Sequence, residues 1–236
     1  MVDKIINFKG IKFYNLEFIE LFKLLQKGGV LVAPAASALI DISENKGYYR
    51  ALRKADWAIL DSGLFCILLR FFREISVKKL SGYLFLTKLI DELSGSNQLI
   101  YSVDPNYEES KLNIKYLKSK NIKNLKSYIA PMYKKTNIRD KLLLEEISKK
   151  RPKYVLINIG GGIQEILGIY LRDNLNYKPI IICTGAAIAF LTKKQAPINY
   201  FIDKFYLGWL FRIIHNPSIF LYRTLRSVKL VTFFLR

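Results

Sequence analysis

Two stretches carry groups suited to chemistry. In the first, Tyr154-Val155-Leu156-Ile157-Asn158-Ile159 runs into Gly160-Gly161-Gly162-Ile163-Gln164-Glu165. A short Val/Ile-rich run reads as a parallel strand covered on both faces. Glycines let backbone approach a ligand closely. The helical spacing of Ile163 to Leu175 aims free N–H groups back at the turn. Strand, turn and helix start together suit a phosphate or a polar sugar. No Lys-Ser or Lys-Thr follows the glycines, which argues against an ATP-type phosphate loop. The same glycines also suit a tight turn between packed elements, and Gln164 suits a local first-turn hydrogen bond. In the second stretch, Trp57-Ala58-Ile59-Leu60 leads into Asp61-Ser62-Gly63. Polar residues at the carboxyl end of a parallel strand are where open α/β sheets place chemistry. Asp61 equally suits a helix cap.

The elements that must hold these residues alternate. Asn15 reads as the N-cap of a helix over Leu16–Lys27, ended by Gly28-Gly29. Val30–Val32 is the first expected strand, followed by helices over Ser37–Ile42 and Tyr48–Lys54. After Trp57–Leu60 comes the very apolar Leu64–Phe72, suited to a core or to a homo-oligomer interface. Val77–Gly82 is a basic loop and Tyr83–Leu93 a helix. Strands follow at Gln98–Val103, Leu125–Ile129, Tyr154–Ile159 and Pro179–Cys183, with helices between them; Asp104-Pro105-Asn106 is a turn and cap, and Asn137 a cap for a helix to Lys150. About six alternations predict a Rossmann-like, mostly parallel sheet with flanking helices. Residues 1–202 are read as the α/β domain and 203–236 as a distinct segment.

The chain has 236 residues and is 51% hydrophobic, enough for a sizeable core and too apolar for disorder. Cys66 and Cys183 sit far apart in apolar surroundings, as buried thiols would. A single histidine, His215, cannot build a His-based metal centre and is read as structural. Met1–Gly10 has no apolar h-region, so no signal peptide is expected. There are 38 Lys+Arg against 19 Asp+Glu, a net +19, which favours an anionic partner. No nucleic-acid motif accompanies the charge, so nucleic acid is not the expected partner. From Asp203 onward, aromatic and aliphatic residues interleave with Arg212, Arg223, Arg226, Lys229 and Arg236. No apolar run reaches the ~18 residues of a span. The pattern suits a helix on an anionic membrane surface, or one packed on the domain with solvated arginines. Both hold if it packs and shows one edge to lipid.

Taken in order, several motifs resemble the WecB/TagA/CpsF-type bacterial glycosyltransferases over roughly residues 30–226. Ala55-Asp56-Trp57-Ala58-Ile59-Leu60-Asp61-Ser62-Gly63 resembles the family's AD…PDG segment, and Ser81-Gly82 stands at the Thr-Gly of RVTG.D. Ala130-Pro131-Met132-Tyr133 is similar to SPPF, Gly160–Glu165 to GLG.PKQE, and Thr184–Leu191 to GAAFDFLAG. Ala196-Pro197, Tyr206–Arg212, Asn216-Pro217 and Arg223 follow the closing RAP…LEWL.R…EP…R pattern.

The resemblance implies an inverting, metal-independent transfer that uses no cofactor. The donor would be a UDP-sugar, often of the N-acetylmannosamine type. The acceptor would be a lipid-diphosphate-linked saccharide, met by a peripheral protein on the cytoplasmic membrane face during cell-surface polysaccharide synthesis. Asp61 would be the base. Lys79, Ser81, Gly160, Gly161, Gly162, Gln164 and Gly185 would line the substrate site, with Arg212 and Arg223 on diphosphate and membrane. The chemistry fits these residue types: a carboxylate takes the acceptor proton, and arginines or N–H donors steady the departing diphosphate. The chain departs from the pattern at Ala33 and Ala35 for Thr and Asn, Ser62 for Gly, Lys79 for Arg, Leu84 for Asp, Ala189 for Asp and Gln195 for Arg. The segment between Leu191 and Ala196 is also shorter. Such losses mark either a subgroup with a different sugar or a chain that binds without turnover.

Overall fold

Ile5–Phe8 (β1) and Ile11–Tyr14 (β2) bury Ile6, Phe8, Ile11 and Phe13 at alternate positions. This is the period-2 pattern of a half-covered strand. Lys9 and Gly10, at φ +50° and +74°, make the tight turn of an antiparallel hairpin. The computed structural model describes residues 3–134, 138–185, 187–194, 203 and 208–235, without the side chains of Trp209, Arg212 and Ile219.

The hairpin edges an eight-stranded sheet of order β1-β2-β4-β3-β8-β7-β5-β6. The other strands are Gly29–Val32 (β3), Trp57–Ile59 (β4), Ile100–Asp104 (β5), Leu125–Ile129 (β6), Tyr154–Ile157 (β7) and Ile180–Cys183 (β8). Every pairing except β1–β2 is parallel. The expected α/β class and parallel sheet are present, with eight strands where about six were expected. The additional pair precedes Asn15, which is not a helix cap. Its side-chain amide donates to the carbonyls of Asp3 and Ser76, and its oxygen accepts from Lys78 N–H. Helix α1 (Phe18–Leu25) instead starts with a reciprocal box between Glu17 and Glu20.

Helices α1, α5 (Gly82–Leu93), α6 (Tyr107–Ser119) and α9 (Ala187–Leu191) cover one face of the sheet. Helices α2 (Ala36–Ile40), α3 (Lys46–Lys54), α4 (Gly63–Arg73), α7 (Lys141–Lys150) and α8 (Gln164–Asn174) cover the other. The central strands β3, β7 and β8 are buried at every position, as a sheet covered on both faces requires. Asp140 caps α7 through Leu143 N–H; Asn137 lies outside the described residues. Helix α4 buries Phe65, Cys66, Leu68 and Leu69 and leaves Ile67 and Phe71 exposed. Both cysteines are buried and free.

The final segment packs on the domain. Helix α10 (Gly208–His215) meets α11 (Pro217–Ser227), which lies against α2. A 3-10 turn over Val228–Phe233 then buries Leu230 completely. Phe234 stacks near Phe8, ring centres 5.0 Å apart, and near Phe72 at 5.6 Å. Among the described residues no helix is long and apolar enough to cross a membrane.

Candidate active site

The carboxyl ends of β3, β4, β8, β7 and β5 carry Ala33, Asp61, Thr184, Asn158 and Asp104. Leu31, Ile59, Ile182, Leu156 and Ile100 lie on the sheet face beneath α5, α6 and α9. The period-2 pleat continues that face to these five residues.

Helix α5 aims its N-terminus at this rim. Ser81 caps it by accepting from Leu84 N–H at 3.0 Å. Gly82 donates its N–H to Asp61 Oδ1 at 2.7 Å. A side chain at Gly82 would press on the Thr184 carbonyl at 3.2 Å and on Ala33 at 3.4 Å, so the helix end lies directly over β3, β4 and β8. Asp61 is half-buried. It accepts from a helix N-terminus, which favours negative charge at that spot. Ser62, the next residue, caps α4 through Phe65 N–H, so the capping role considered for Asp61 falls to its neighbour.

The second half of the rim is the glycine turn. Gly160 and Gly162 take φ +94° and +87°, and a Cβ on either would meet nothing within 4 Å. They are required by the backbone path, and they leave open space beside the turn. Glu165 Oε2 accepts Gly162 N–H at 2.7 Å, and Glu165 Oε1 accepts from Gln164 Nε2 at 3.1 Å. The Gln164 oxygen accepts Gly185 N–H at 3.2 Å. Gln164 and Glu165 are both 1% exposed. Burial pushes the Glu165 carboxyl up to about 7, against the pull of the Gln164 and Gly162 donors. Gln164 thus ties the turn after β7 to the turn after β8, with its amide committed inward. Asp61, Ser81, Gly160, Gly161, Gly162, Gln164 and Gly185 therefore share one rim.

Lys79 pairs with Asp203 at 2.8 Å, both nearly enclosed. Arg223, on α11, is exposed and lies over the Phe220 ring at 5.7 Å. The side chains of Arg212 and Trp209 lie outside the described residues, as do Ala186, Gln195, Ala196, Pro197, Tyr206 and Leu207. Among the described residues no group of three His, Cys, Asp or Glu side chains is placed to hold a metal ion.

Concavities among the described residues also border the sheet. One of about 530 Å³, lined by Gly28, Asp56, Trp57 and Arg172, lies at the amino ends of β3 and β4. Arg172 and Asp56 already pair there at 2.9 Å, and it is remote from the rim. Another, about 710 Å³, lies beyond β6 and includes Ala130, Pro131 and Tyr133. The Tyr128 and Tyr133 hydroxyls donate to Asp140 at 3.0 and 2.6 Å. Burial and that carboxylate raise both phenols, Tyr128 to about 12.

Sequence reasoning passed over Glu165, although it stands in the motif beside Gln164, and took Asp104 only as part of a turn. The rim presents the Asp61 carboxylate and, beside the Gly160–Gly162 turn, open space, with the Gly162 N–H already taken by Glu165. A family model described as "Glycosyl transferase WecG/TagA/CpsF family" matches residues 6–236. No curated protein matches the chain.

Proposed function

Because the chain belongs to the WecG/TagA/CpsF family of glycosyl transferases, we propose that its rim transfers a sugar from a UDP-sugar to a lipid-diphosphate-linked saccharide. The observation that carries this is Asp61, held by α5 on the same rim as the Gly160–Gly162 turn. Asp61 takes the acceptor hydroxyl's proton. The freed oxygen bonds the anomeric carbon from the face opposite the diphosphate. The carbon–oxygen bond to UDP breaks, and the diphosphate keeps the electron pair. The configuration inverts in this single displacement. The open Gly160–Gly162 turn and Gly185 receive the donor, with Gln164 fixing the two turns. Lys79, Arg212 and Arg223 are assigned to phosphate charge, and no metal is needed in this scheme.

The acceptor's lipid places the reaction at a membrane. The exposed Leu221, Tyr222 and Leu225 of α11 interleave with the exposed Arg223, which suits an anionic surface on the cytoplasmic side, while Arg226 turns to Asp41 and Glu44 of the domain. The transfer is tested with radiolabelled UDP-sugars and a lipid-diphosphate acceptor. Turnover that survives Asp61→Asn unchanged would remove Asp61 as the base.

A second reading rests on Ala33 and Ala189, both buried where the family pattern carries polar groups. On this reading the chain binds nucleotide-sugar or lipid diphosphate without turnover. UDP binding with no transfer across the donor panel would favour it; efficient transfer of any one sugar would eliminate it.

A further inference from the structure

The chain leaves β5 outward to β6, yet leaves β7 in the opposite direction to β8. Neighbours β5 and β7 therefore flank a topological switch point, where open α/β sheets open a ligand crevice. Both strands end there in buried polar residues. Asp104, fully buried, accepts three bonds on one oxygen. These come from Ser102 Oγ at 2.8 Å, Asn113 Nδ2 of α6 at 2.7 Å and Asn158 Nδ2 at 2.9 Å. Its other oxygen, Oδ2, is buried with no partner among the described residues. Asn158 Nδ2 also donates to Ser102 Oγ at 3.1 Å.

A carboxylate only accepts, so the amide nitrogen of Asn158 must face Asp104. Both its N–H groups are then spent inward. The Asn158 oxygen is left on the far side, neither buried nor bonded among the described residues. It stands two residues before the Gly160 turn. A buried carboxylate with one bare oxygen is costly, and here it fixes the direction of an acceptor at the crevice.

We infer that Asn158 is a specificity-determining residue whose Oδ1 accepts a hydrogen bond from the nucleoside of the donor, with Asp104 as its positioning residue. The bond comes from the uracil N3–H or from the ribose 2′-hydroxyl. This rests on the nucleotide-sugar reading above. A site built to receive an N–H or O–H rejects analogues that lack it.

The test is calorimetric binding of UDP, CDP and 2′-deoxy-UDP to the full chain. CDP lacks the N3–H, and 2′-deoxy-UDP lacks one hydroxyl. Wild type should prefer UDP over one of the two. Asn158→Ala should weaken UDP by about tenfold or more and erase that preference. Asn158→Thr keeps a hydroxyl donor toward Asp104 while removing the outward acceptor, and should behave alike even if the alanine variant folds poorly. The inference is overturned if both variants keep the wild-type preference, or if all three ligands weaken equally. It also falls if wild type binds UDP without any preference. Absence of nucleotide binding by wild type overturns it together with the donor reading.

Discussion

The Asp61 carboxylate and the Gly82 amide, separated by 21 residues in the chain, are joined by a 2.7 Å hydrogen bond at the rim of the sheet. Asp61 therefore anchors a helix, and on the proposed reading it is also the base, two roles that can be separated. Asp61→Asn keeps an oxygen for Gly82 but cannot take a proton. It should lower kcat by about 10²–10⁴-fold with little change in Tm. Asp61→Ala should also lose stability, by about 1–3 kcal/mol. Transfer assays and calorimetric melting separate the two roles.

Glu165 should make stability fall with pH in a defined window. Its carboxyl is raised from 4.5 in the unfolded chain to about 7 in the fold. The folded state then holds a proton that the unfolded state has released, so stability falls as pH rises. The contribution is complete below about pH 4.5 and lost by about pH 7. Glu165→Gln should remove that slope. It should also be less stable, since its amide N–H groups meet either Gly162 N–H or Gln164 Nε2. Melting of both proteins across pH 4 to 8 checks this; superimposable slopes would contradict it.

Lys79 and Asp203 enclose each other, at 9% and 14% side-chain exposure. Removing one partner of such a pair leaves a poorly hydrated charge. Lys79→Ala should cost about 3–5 kcal/mol, whereas Lys79→Arg should retain most of the stability. If Lys79 also serves the diphosphate, Asp203→Asn should tighten UDP several-fold at low salt. Unchanged affinity would leave Lys79 with the structural role alone.

The tail has an inner and an outer side that can be changed independently. Leu221, Tyr222 and Leu225 are 48%, 71% and 62% exposed, while Leu230 is fully buried. Replacing the first three by Ser should reduce pelleting with anionic liposomes while the melting temperature holds. Leu230→Ala should destabilise by about 2–5 kcal/mol and leave lipid binding per folded molecule unchanged. Equal pelleting by the triple variant would move the membrane contact elsewhere.

The parallel sheet was legible because each motif ends a Val/Ile-rich run, at Val32, Leu60, Ile157 and Cys183. Position at the strand ends was thus readable from local pattern. The hairpin was missed although Ile11, Phe13 and the Lys9-Gly10 turn carried its period-2 signal. Asn15 looked like a helix cap, but its bond to Ser76 spans 61 residues, and no local pattern encodes such a partner. The Asn158–Asp104 pairing spans 54 residues and was hidden for the same reason. Gln164 was found as a residue, but its inward commitment depends on Gly185, which arrives from another strand.

The meeting of Phe8 with Phe234 bears on how the molecule is made. Phe8 is translated 226 residues before Phe234, one of its aromatic covers. At ~5–20 residues/s, that interval is roughly 10–45 s. Throughout it, Phe8 lacks part of its shelter and is open to contact with other nascent chains. Translation of Phe234 closes that gap only after α11 has emerged, so the sheltered core around Phe8 and the exposed face of α11 arrive late together.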